Sequence, residues 1–220
     1  MKIAILKLCF LSLLVSGCSS EENIPTPSPS TVEITPEGTE NSDYSILFVG
    51  NSLTATNDLP KLVRDRALQN DISIQTTAVT YGNYGLQDHW NDGNIQTLIE
   101  ANNYDFVVIQ QGPSSQADGR SSLIEYGGYI KEICEANNTQ LAFFMVWPAL
   151  EYYYTFDGVI QNYTDAANLN NALLCPVGVH WRSAVDQNED YSYYGPDGFH
   201  PSLEGSEVAA QVILEGLDIL

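Results

Sequence analysis

The sequence predicts one α/β domain built on a mostly parallel five-stranded sheet with helices on both faces. Short apolar runs alternate five times with segments of helical period, and this alternation is typical of parallel strands joined by crossover helices. The chain has 220 residues, of which 44% are hydrophobic and 10% aromatic. That length and composition suit one substantial globular domain. Neither an internal repeat nor a second domain is evident in the sequence.

The predicted strands are short apolar runs of the kind that is buried on both faces of a sheet. The first run ends at Gly50, and the second alternates loosely between apolar and polar residues. The five strands are predicted at 45–49, 72–79, 106–109, 141–146 and 176–179.

The predicted helices repeat their apolar residues at the spacing of helical turns. The last of them begins at Ser202, whose hydroxyl suits a helix N-cap. The helices are predicted at 59–68, 95–101, 122–136 and 166–174, and after Ser202.

Four loops follow the predicted strands or precede the last helix, at 50–58, 80–90, 110–119 and 186–200. Parallel α/β sheets bind their ligands at the carboxyl ends of the strands. We therefore expect the functional residues in these loops.

The chain is strongly acidic, with 8 Lys and Arg against 28 Asp and Glu and a net charge of -20. This charge argues against a nucleic-acid binder, because phosphate contacts need a basic surface. It also argues against electrostatic docking on anionic lipid. A neutral or cationic partner is favoured.

The first residues have the features of an export signal. A short basic start precedes an apolar run at 8–16 that is too short to span a bilayer. The run ends in Val-Ser-Gly-Cys at 15–18, which resembles a bacterial lipoprotein box. The resemblance implies a signal peptide at 1–17, a lipid anchor on Cys18, and a place on a membrane of the bacterial cell envelope, facing the periplasm or the cell surface. The alternative is an ordinary signal peptide in which Cys18 is incidental.

A proline-rich polar stretch separates this signal from the domain. Residues 18–43 cannot bury much apolar area and are predicted to form an extended tether. The folded domain is predicted at 44–220. Within it, Cys134 and Cys175 either pair or remain buried thiols, and both alternatives stay open. No cysteine spacing is typical of a metal site, and no cofactor is expected.

Two motifs carry candidate chemistry. Gly50-Asn51-Ser52 follows the first strand, where a serine in a strand-to-helix turn can expose its hydroxyl beside backbone N–H groups. Asp197 stands three residues before His200, just ahead of the last helix. This spacing lets the carboxylate orient the imidazole as a base for a serine hydroxyl. Each motif alone also fits an ordinary turn.

The two motifs together, with their order and their positions, resemble the SGNH/GDSL hydrolase family. The resemblance covers the domain from Ile46 to the last helix. It implies a flavodoxin-like three-layer α/β/α fold and a serine esterase. Ser52 would be the nucleophile, His200 the general base and acid, and Asp197 the residue that orients it.

The sequence departs from the family pattern in two blocks. Asn51 stands where the first block usually has Asp, and the third block lacks its usual Asn. Carbohydrate-esterase branches of the family use Gln-Gly in the third block, which Gln111 matches. The resemblance then implies an oxyanion hole made by the N–H of Ser52, a second-block N–H and the amide of Gln111, with Ser114 as the fallback donor.

The second block offers more than one donor. Gly82 is favoured, but Gly85 or Asn83 serves equally after a small shift in alignment. His89 follows this block and either lines the substrate pocket or bonds a loop carbonyl.

Aromatic residues cluster near the motifs, in a predicted long loop that starts at Trp147 and in the stretch that ends at Tyr194. Two interpretations stay open: these rings stack on sugars at the site, or they pack over the core. Tyr194 is the candidate for the substrate pocket. The members are Trp147, Tyr152, Tyr153, Tyr154, Phe156, Tyr191, Tyr193 and Tyr194.

These observations favour hydrolysis of an ester, with a small acyl group such as acetyl on a carbohydrate as the expected substrate. The first alternative is a non-catalytic glycan-binding surface lipoprotein on a hydrolase fold. The second is a lipase or thioesterase that acts on long acyl chains.

Overall fold

Five parallel strands form the centre of the domain. The computed structural model describes Ile34, residues 36–39 and residues 41–220. The strands are β1 (Tyr44–Gly50), β2 (Ile74–Thr80), β3 (Phe106–Ile109), β4 (Gln140–Phe144) and β5 (Leu173–Cys175). Their order is β2-β1-β3-β4-β5, and every neighbouring pair is parallel. The predicted fold class is confirmed.

Helices cover both faces of this sheet. They are α1 (Ser52–Ala55), α2 (Leu59–Leu68), α3 (Leu86–Asp92), α4 (Asn94–Ala101), α5 (Ala117–Ala136), α6 (Phe156–Leu169), α7 (Val177–Asn188) and α8 (Leu203–Gly216), with 3₁₀ segments at Thr56–Asp58 and Leu150–Thr155. Helix α2 packs against α8, whereas α5 packs against α3, α4 and α6. Right-handed crossovers put these two groups on opposite faces, since only the β1-to-β2 connection runs toward the β2 edge.

The core lies on both sides of the central strands. Every side chain from Ile46 to Val49 is fully buried, and so are nearly all of those of β3. Burial of each large apolar side chain contributes about 1.5–3 kcal/mol relative to its exposure in water. The unbroken apolar runs that predicted β1 and β3 therefore follow from coverage by helices on both faces.

The region around the fifth strand differs from the prediction. The strand predicted at 176–179 is wrong, because those residues lie at the start of α7. The pairing of Leu173 with Ala142 and of Cys175 with Phe144 puts the strand earlier, and the helix predicted at 166–174 ends at Leu169. Buried residues Val177, Trp181 and Val185 follow the period of a helix and cover the core from α7.

The folded domain begins earlier than residue 44. Glu37 and Thr76 exchange two backbone hydrogen bonds of 2.7 and 2.8 Å, which adds an antiparallel bridge at the edge of β2. Arg64 forms an ion pair with Glu37. Glu37 lies within the predicted tether, and the bridge and the ion pair join it to the domain. The predicted signal peptide at 1–17 and Cys18 lie outside the described residues.

Two further findings concern the cysteines and the membrane. Cys134 and Cys175 are both free and fully buried, so they do not pair. Burial raises the pKa of each thiol to about 12. Among the described residues, no helix is long and apolar enough to cross a bilayer.

Candidate active site

Ser52 is presented by a tight turn at the carboxyl end of β1. Asn51 Oδ1 accepts the N–H of Leu53 at 3.1 Å and so caps α1, in which Ser52 is the first residue. A Cβ at Gly50 would lie 2.4 Å from Thr54 Oγ1 and 2.5 Å from Gln110 Oε1. A larger residue here would therefore displace the two side chains whose hydrogen bond holds the turn.

Buried polar side chains hold this turn in place. Gln110 Oε1 accepts the N–H of Asn51 at 3.0 Å and the hydroxyl of Thr54 at 2.9 Å. Asn51 Nδ2 donates to the carbonyl of Tyr84 at 3.0 Å and ties the turn to the loop after β2. Sequence reasoning missed Gln110, and its only signal was its position at the carboxyl end of β3.

Ser52, His200 and Asp197 form one continuous hydrogen-bonded chain. His200 Nε2 lies 2.9 Å from Ser52 Oγ, and Nδ1 lies 2.6 Å from Asp197 Oδ2. The other oxygen of Asp197 accepts the N–H groups of Phe199 and His200 at 3.0 and 2.9 Å. An ionised carboxylate only accepts hydrogen bonds, so Nδ1 carries the proton and Nε2 is left to accept that of Ser52.

Asp197 stays ionised over a wide pH range. The hydrogen bond from His200, followed by the backbone N–H of Phe199, lowers the pKa of Asp197 from 3.8 to about 2. The carboxylate is therefore negative wherever the imidazole needs an orienting acceptor.

Backbone carbonyls anchor the turn that carries His200. Trp147 Nε1–H donates to the carbonyl of Phe199 at 3.0 Å, and the N–H of Leu150 donates to that of Gly198 at 2.8 Å. Gly198 has a φ of +70°, in the left-handed region that favours glycine. The aromatic segment that starts at Trp147 thus positions the turn that carries His200.

A cavity of about 380 Å³ opens beside Ser52. Gln111 borders it and is nearly fully buried. One hydrogen of its amide donates to the carbonyl of Gly119 at 3.2 Å, and its Oε1 accepts the hydroxyl of Ser122 at 3.3 Å. An amide nitrogen carries two hydrogens, so the second remains available to the cavity.

The second block reaches this cavity through Asn83, Tyr84 and Gly85, whereas Gly82 is not among the lining residues. The N–H of Gly85 donates to Asp88 Oδ2 at 2.8 Å at the start of α3. Within the described residues, the N–H groups of Ser52 and Asn83 donate to no protein acceptor. Of the three second-block candidates, Asn83 is therefore the one that borders this cavity with an N–H that has no protein acceptor, whereas Gly82 lies away from the cavity.

His89 and Tyr194 do not line the cavity beside Ser52. His89 is buried in α3 with Nε2 at 2.8 Å from the carbonyl of Gly50, and burial lowers its pKa. It therefore donates to that carbonyl as a neutral imidazole and supports the end of β1. Tyr194 is buried against Trp181 and donates to the carbonyl of Pro148 at 3.0 Å.

The aromatic cluster contains both side chains that pack in the core and side chains that are exposed. Trp147 and Phe156 are buried in the core, and Trp147 stacks on Trp181 with ring centroids 3.4 Å apart. Tyr152 and Tyr154 are exposed on the 3₁₀ segment. Tyr152 also borders a second, larger cleft.

The larger cleft has a volume of about 860 Å³ and is bordered by the His200 turn on one side. Phe199 lines both this cleft and the cavity beside Ser52. No group of three or more His, Cys, Asp or Glu side chains is arranged to hold a metal ion in the part of the chain that the structure describes.

Sequence comparison finds no matching family model and no matching curated protein. Solved structures do match. A protein assigned as an SGNH hydrolase from Slackia heliotrinireducens superimposes with a TM-score of 0.68 at 24% identity, covering 79% of this chain and 98% of its own. A protein assigned as a GDSL-like lipase from Parabacteroides merdae gives 0.63 at 18% identity, covering 81% and 97%.

A variant of an acetyl-xylooligosaccharide esterase from a Geobacillus species gives a TM-score of 0.59 at 15% identity, covering 80% of this chain and 94% of its own. At these identities the similarity lies in the fold. The domain has the SGNH hydrolase fold, as the resemblance implied.

Proposed function

We propose that this protein is a serine ester hydrolase with Ser52 as its nucleophile. The observation that carries the proposal is the chain from Ser52 Oγ to His200 Nε2 at 2.9 Å and from His200 Nδ1 to Asp197 at 2.6 Å. A serine hydroxyl is a weak nucleophile until an adjacent base accepts its proton, and a third group must hold that base in the right tautomer.

The reaction proceeds through an acyl-enzyme. Ser52 Oγ attacks the acyl carbon while His200 Nε2 takes the hydroxyl proton, and the carbonyl electron pair moves to oxygen. The tetrahedral intermediate collapses, the bond to the alcohol oxygen breaks, and Nε2 gives that oxygen its proton. Water then repeats the sequence on the acyl-enzyme, which releases the carboxylic acid and restores Ser52.

The negative charge of the tetrahedral intermediate needs fixed donors. The N–H of Ser52, the free N–H of Asn83 and the amide of Gln111 border the cavity and supply three. Such donors stabilise the transition state more than the neutral carbonyl, because charge develops only as the bond to Ser52 forms.

The substrate we propose is a small acyl ester, such as acetyl, on a carbohydrate. The cavity beside Ser52 is small and bordered by three glycines and several polar side chains, which suits a short acyl group better than a long chain. The similarity to the fold of an acetyl-xylooligosaccharide esterase adds support.

The first test is hydrolysis of p-nitrophenyl acetate by the purified protein and by Ser52→Ala. We expect activity in the parent and a loss of about 10⁶-fold in kcat in the variant. Ser45→Ala makes the same substitution at the other end of β1 and controls for general damage. A folded parent protein without activity would overturn the proposal and favour the glycan-binding alternative, to be tested by sugar binding.

An acyl-chain series separates the proposal from a lipase or thioesterase. The p-nitrophenyl esters of acetate, butyrate, octanoate and palmitate differ only in the length of the acyl group. We expect the highest kcat/KM at acetate or butyrate. A maximum at the long chains would contradict the proposed substrate.

We also propose that Cys18 anchors the protein to a membrane of the bacterial cell envelope. The support is the lipoprotein-like Val-Ser-Gly-Cys at 15–18 after an apolar run. Cys18→Ala is expected to move the protein from the membrane to the soluble fraction, with Cys134→Ala as the matched control that stays in the membrane. Retention of the Cys18 variant in membranes would contradict the anchor.

A further inference from the structure

The two cavities share Phe199 as a lining residue and otherwise have different surroundings. The smaller one, of about 380 Å³, is bordered by Ser52 and the proposed oxyanion donors. The larger one, of about 860 Å³, is bordered by Pro196, Asp197 and Gly198 of the turn that carries His200. An ester bound at Ser52 has two ends, and each end needs its own space.

Proton transfer decides which end enters which cavity. The group that takes the proton of Ser52 must later give it to the leaving alcohol, so the alcohol oxygen lies next to His200 Nε2. The carbonyl oxygen must point instead toward the oxyanion donors. The leaving alcohol therefore extends along the His200 turn, and the acyl group stays on the side of Gln111.

We propose that the larger cleft is the subsite for the leaving alcohol and that it selects an uncharged, ring-shaped polyol such as a glycoside. This inference rests on the proposed function and names the substrate class of the same site. The smaller cavity takes the acyl group.

Tyr152 is the residue we assign to recognition of the ring. It borders the larger cleft and is 51% exposed. Its backbone is held firmly, because Thr155 Oγ1 donates to its carbonyl at 2.7 Å and the neighbouring Leu150 is bonded to Gly198 of the His200 turn. An exposed aromatic face on a segment that is bonded to the His200 turn suits stacking on a sugar ring.

The charges of the cleft disfavour anionic alcohols. Asp197 and Glu151 border it, and the described lining residues of both cavities include neither Lys nor Arg. A carboxylate or phosphate on the leaving group would approach two negative side chains with no cation to pair with, on a chain of net charge -20.

Gly112 allows a test of the smaller cavity, which is proposed to hold the acyl group. It borders the smaller cavity only, and a Cβ at this position would meet no atom within 4 Å. Its φ lies outside the left-handed region. A Cβ at this position therefore has open space, and a larger side chain is expected to narrow the room for the acyl group.

A set of four esters tests this division of the substrate, in which the smaller cavity holds the acyl group and the larger cleft holds the alcohol. The four esters are ethyl acetate, ethyl butyrate, and the 6-O-acetyl and 6-O-butyryl esters of methyl glucoside. For each ester, kcat/KM of a variant is divided by that of the parent protein, so that intrinsic reactivity cancels.

Tyr152→Ala is expected to lower kcat/KM roughly two- to tenfold for both glucoside esters and to leave both ethyl esters unchanged. Tyr152→Phe, which keeps the ring, is expected to match the parent. Gly112→Val is expected to disfavour both butyrates relative to the acetates, whatever the alcohol. Gly112→Ala gives the same order with a smaller effect, should the valine variant unfold.

The division is overturned if Tyr152→Ala changes the preference for acyl length, or lowers all four rates equally. It is also overturned if Gly112→Val acts on the alcohol instead of the acyl chain. Failure of the parent protein to hydrolyse any of the four esters would instead overturn the proposed function.

The charge preference has its own comparison, between the 3-O-acetyl esters of methyl glucoside and methyl glucuronide. We expect the neutral ester to react roughly three- to tenfold faster at low salt, and the ratio to shrink as salt screens the cleft. Glu151→Gln should narrow the ratio, whereas Glu207→Gln, a surface acid on α8, should not. Equal rates on the two esters at low salt would contradict the proposed selection.

Discussion

The two halves of the candidate site are built in different ways. The turn that carries Ser52 is buried, and it is held by side-chain bonds from Gln110 and Asn51. The turn that carries His200 is half-exposed, with 52% of the Asp197 side chain and 38% of that of His200 open to solvent. Asp197 Oδ1 accepts two N–H groups of this turn, and its backbone carbonyls accept bonds from Trp147 and Leu150. The first half therefore contributes to folding as well as to chemistry, whereas the second contributes mainly to chemistry.

Asp197→Asn tests the exposed half and has the largest expected effect of the variants compared below. The amide cannot hold Nδ1 protonated as the carboxylate does, so we expect kcat to fall by up to about 10⁴-fold. Stability at neutral pH should change little, because the side chain is half-exposed. Steady-state kinetics and a thermal melt measure both, and a large drop in Tm with little loss of kcat would reverse the comparison.

Gln111→Ala tests the side-chain donor of the proposed oxyanion hole, which belongs to neither of the two turns. Removal of one oxyanion donor is expected to lower kcat by about 10²–10³-fold. Ser114→Ala is the matched control, since Ser114 is the fallback donor but borders the larger cleft. If kcat fell in Ser114→Ala and stayed unchanged in Gln111→Ala, the assignment of Gln111 as the third-block donor would be wrong.

Gln110→Ala tests the buried half. It leaves the N–H of Asn51 and the hydroxyl of Thr54 without their acceptor, and we expect a loss of about 1–3 kcal/mol in the free energy of unfolding. The rate should fall as well, because the turn that presents Ser52 loosens. Urea unfolding measures the stability, and Gln116→Ala, an exposed amide outside this network, serves as the control.

Acid sensitivity gives the smallest expected difference between the halves. The pKa of Asp197 is lower in the folded protein than its ordinary value of 3.8. Its contribution to stability is therefore full above pH 3.8 and is lost as the pH falls toward about 2. Unfolding of Asp197→Asn should depend less on pH in this window.

The Gln110→Ala variant is the comparison for that measurement, because neither Gln110 nor Asn51 titrates. We expect its stability to fall between pH 4 and pH 2 with the slope of the parent protein. A flatter slope in this variant, or an unchanged slope in Asp197→Asn, would contradict the contrast between the two halves.

Local sequence patterns were sufficient for the strands β1 to β4, but not for α1 and α3, which lie largely in the loops predicted at 50–58 and 80–90. The buried runs of β1 and β3 are apolar because helices cover both faces, and that requirement is visible in the sequence. Asp197 and His200 stand three residues apart in one turn, and the resemblance to the SGNH/GDSL family joined Ser52 to them.

Residues whose roles depend on tertiary contacts were not predictable in this way. The position of β5 is decided by its pairing with β4. The sequence pattern at 166–174 is helix-like and so predicted a helix where β5 begins. His89 and Gln110 support the Ser52 turn from other elements, through the carbonyl of Gly50 and the N–H of Asn51. The second-block residues that border the cavity, Asn83, Tyr84 and Gly85, are set by the path of the loop before α3, which the sequence alone does not show.

The stacked pair of Trp147 and Trp181 gives the domain an optical reporter at its active edge. The chain has three tryptophans, and these two lie with ring centroids 3.4 Å apart while Trp147 also holds the His200 turn. Indoles this close couple their electronic transitions, and their near-ultraviolet circular dichroism depends on fixed packing. That signal should therefore follow the integrity of the His200 turn without any added label.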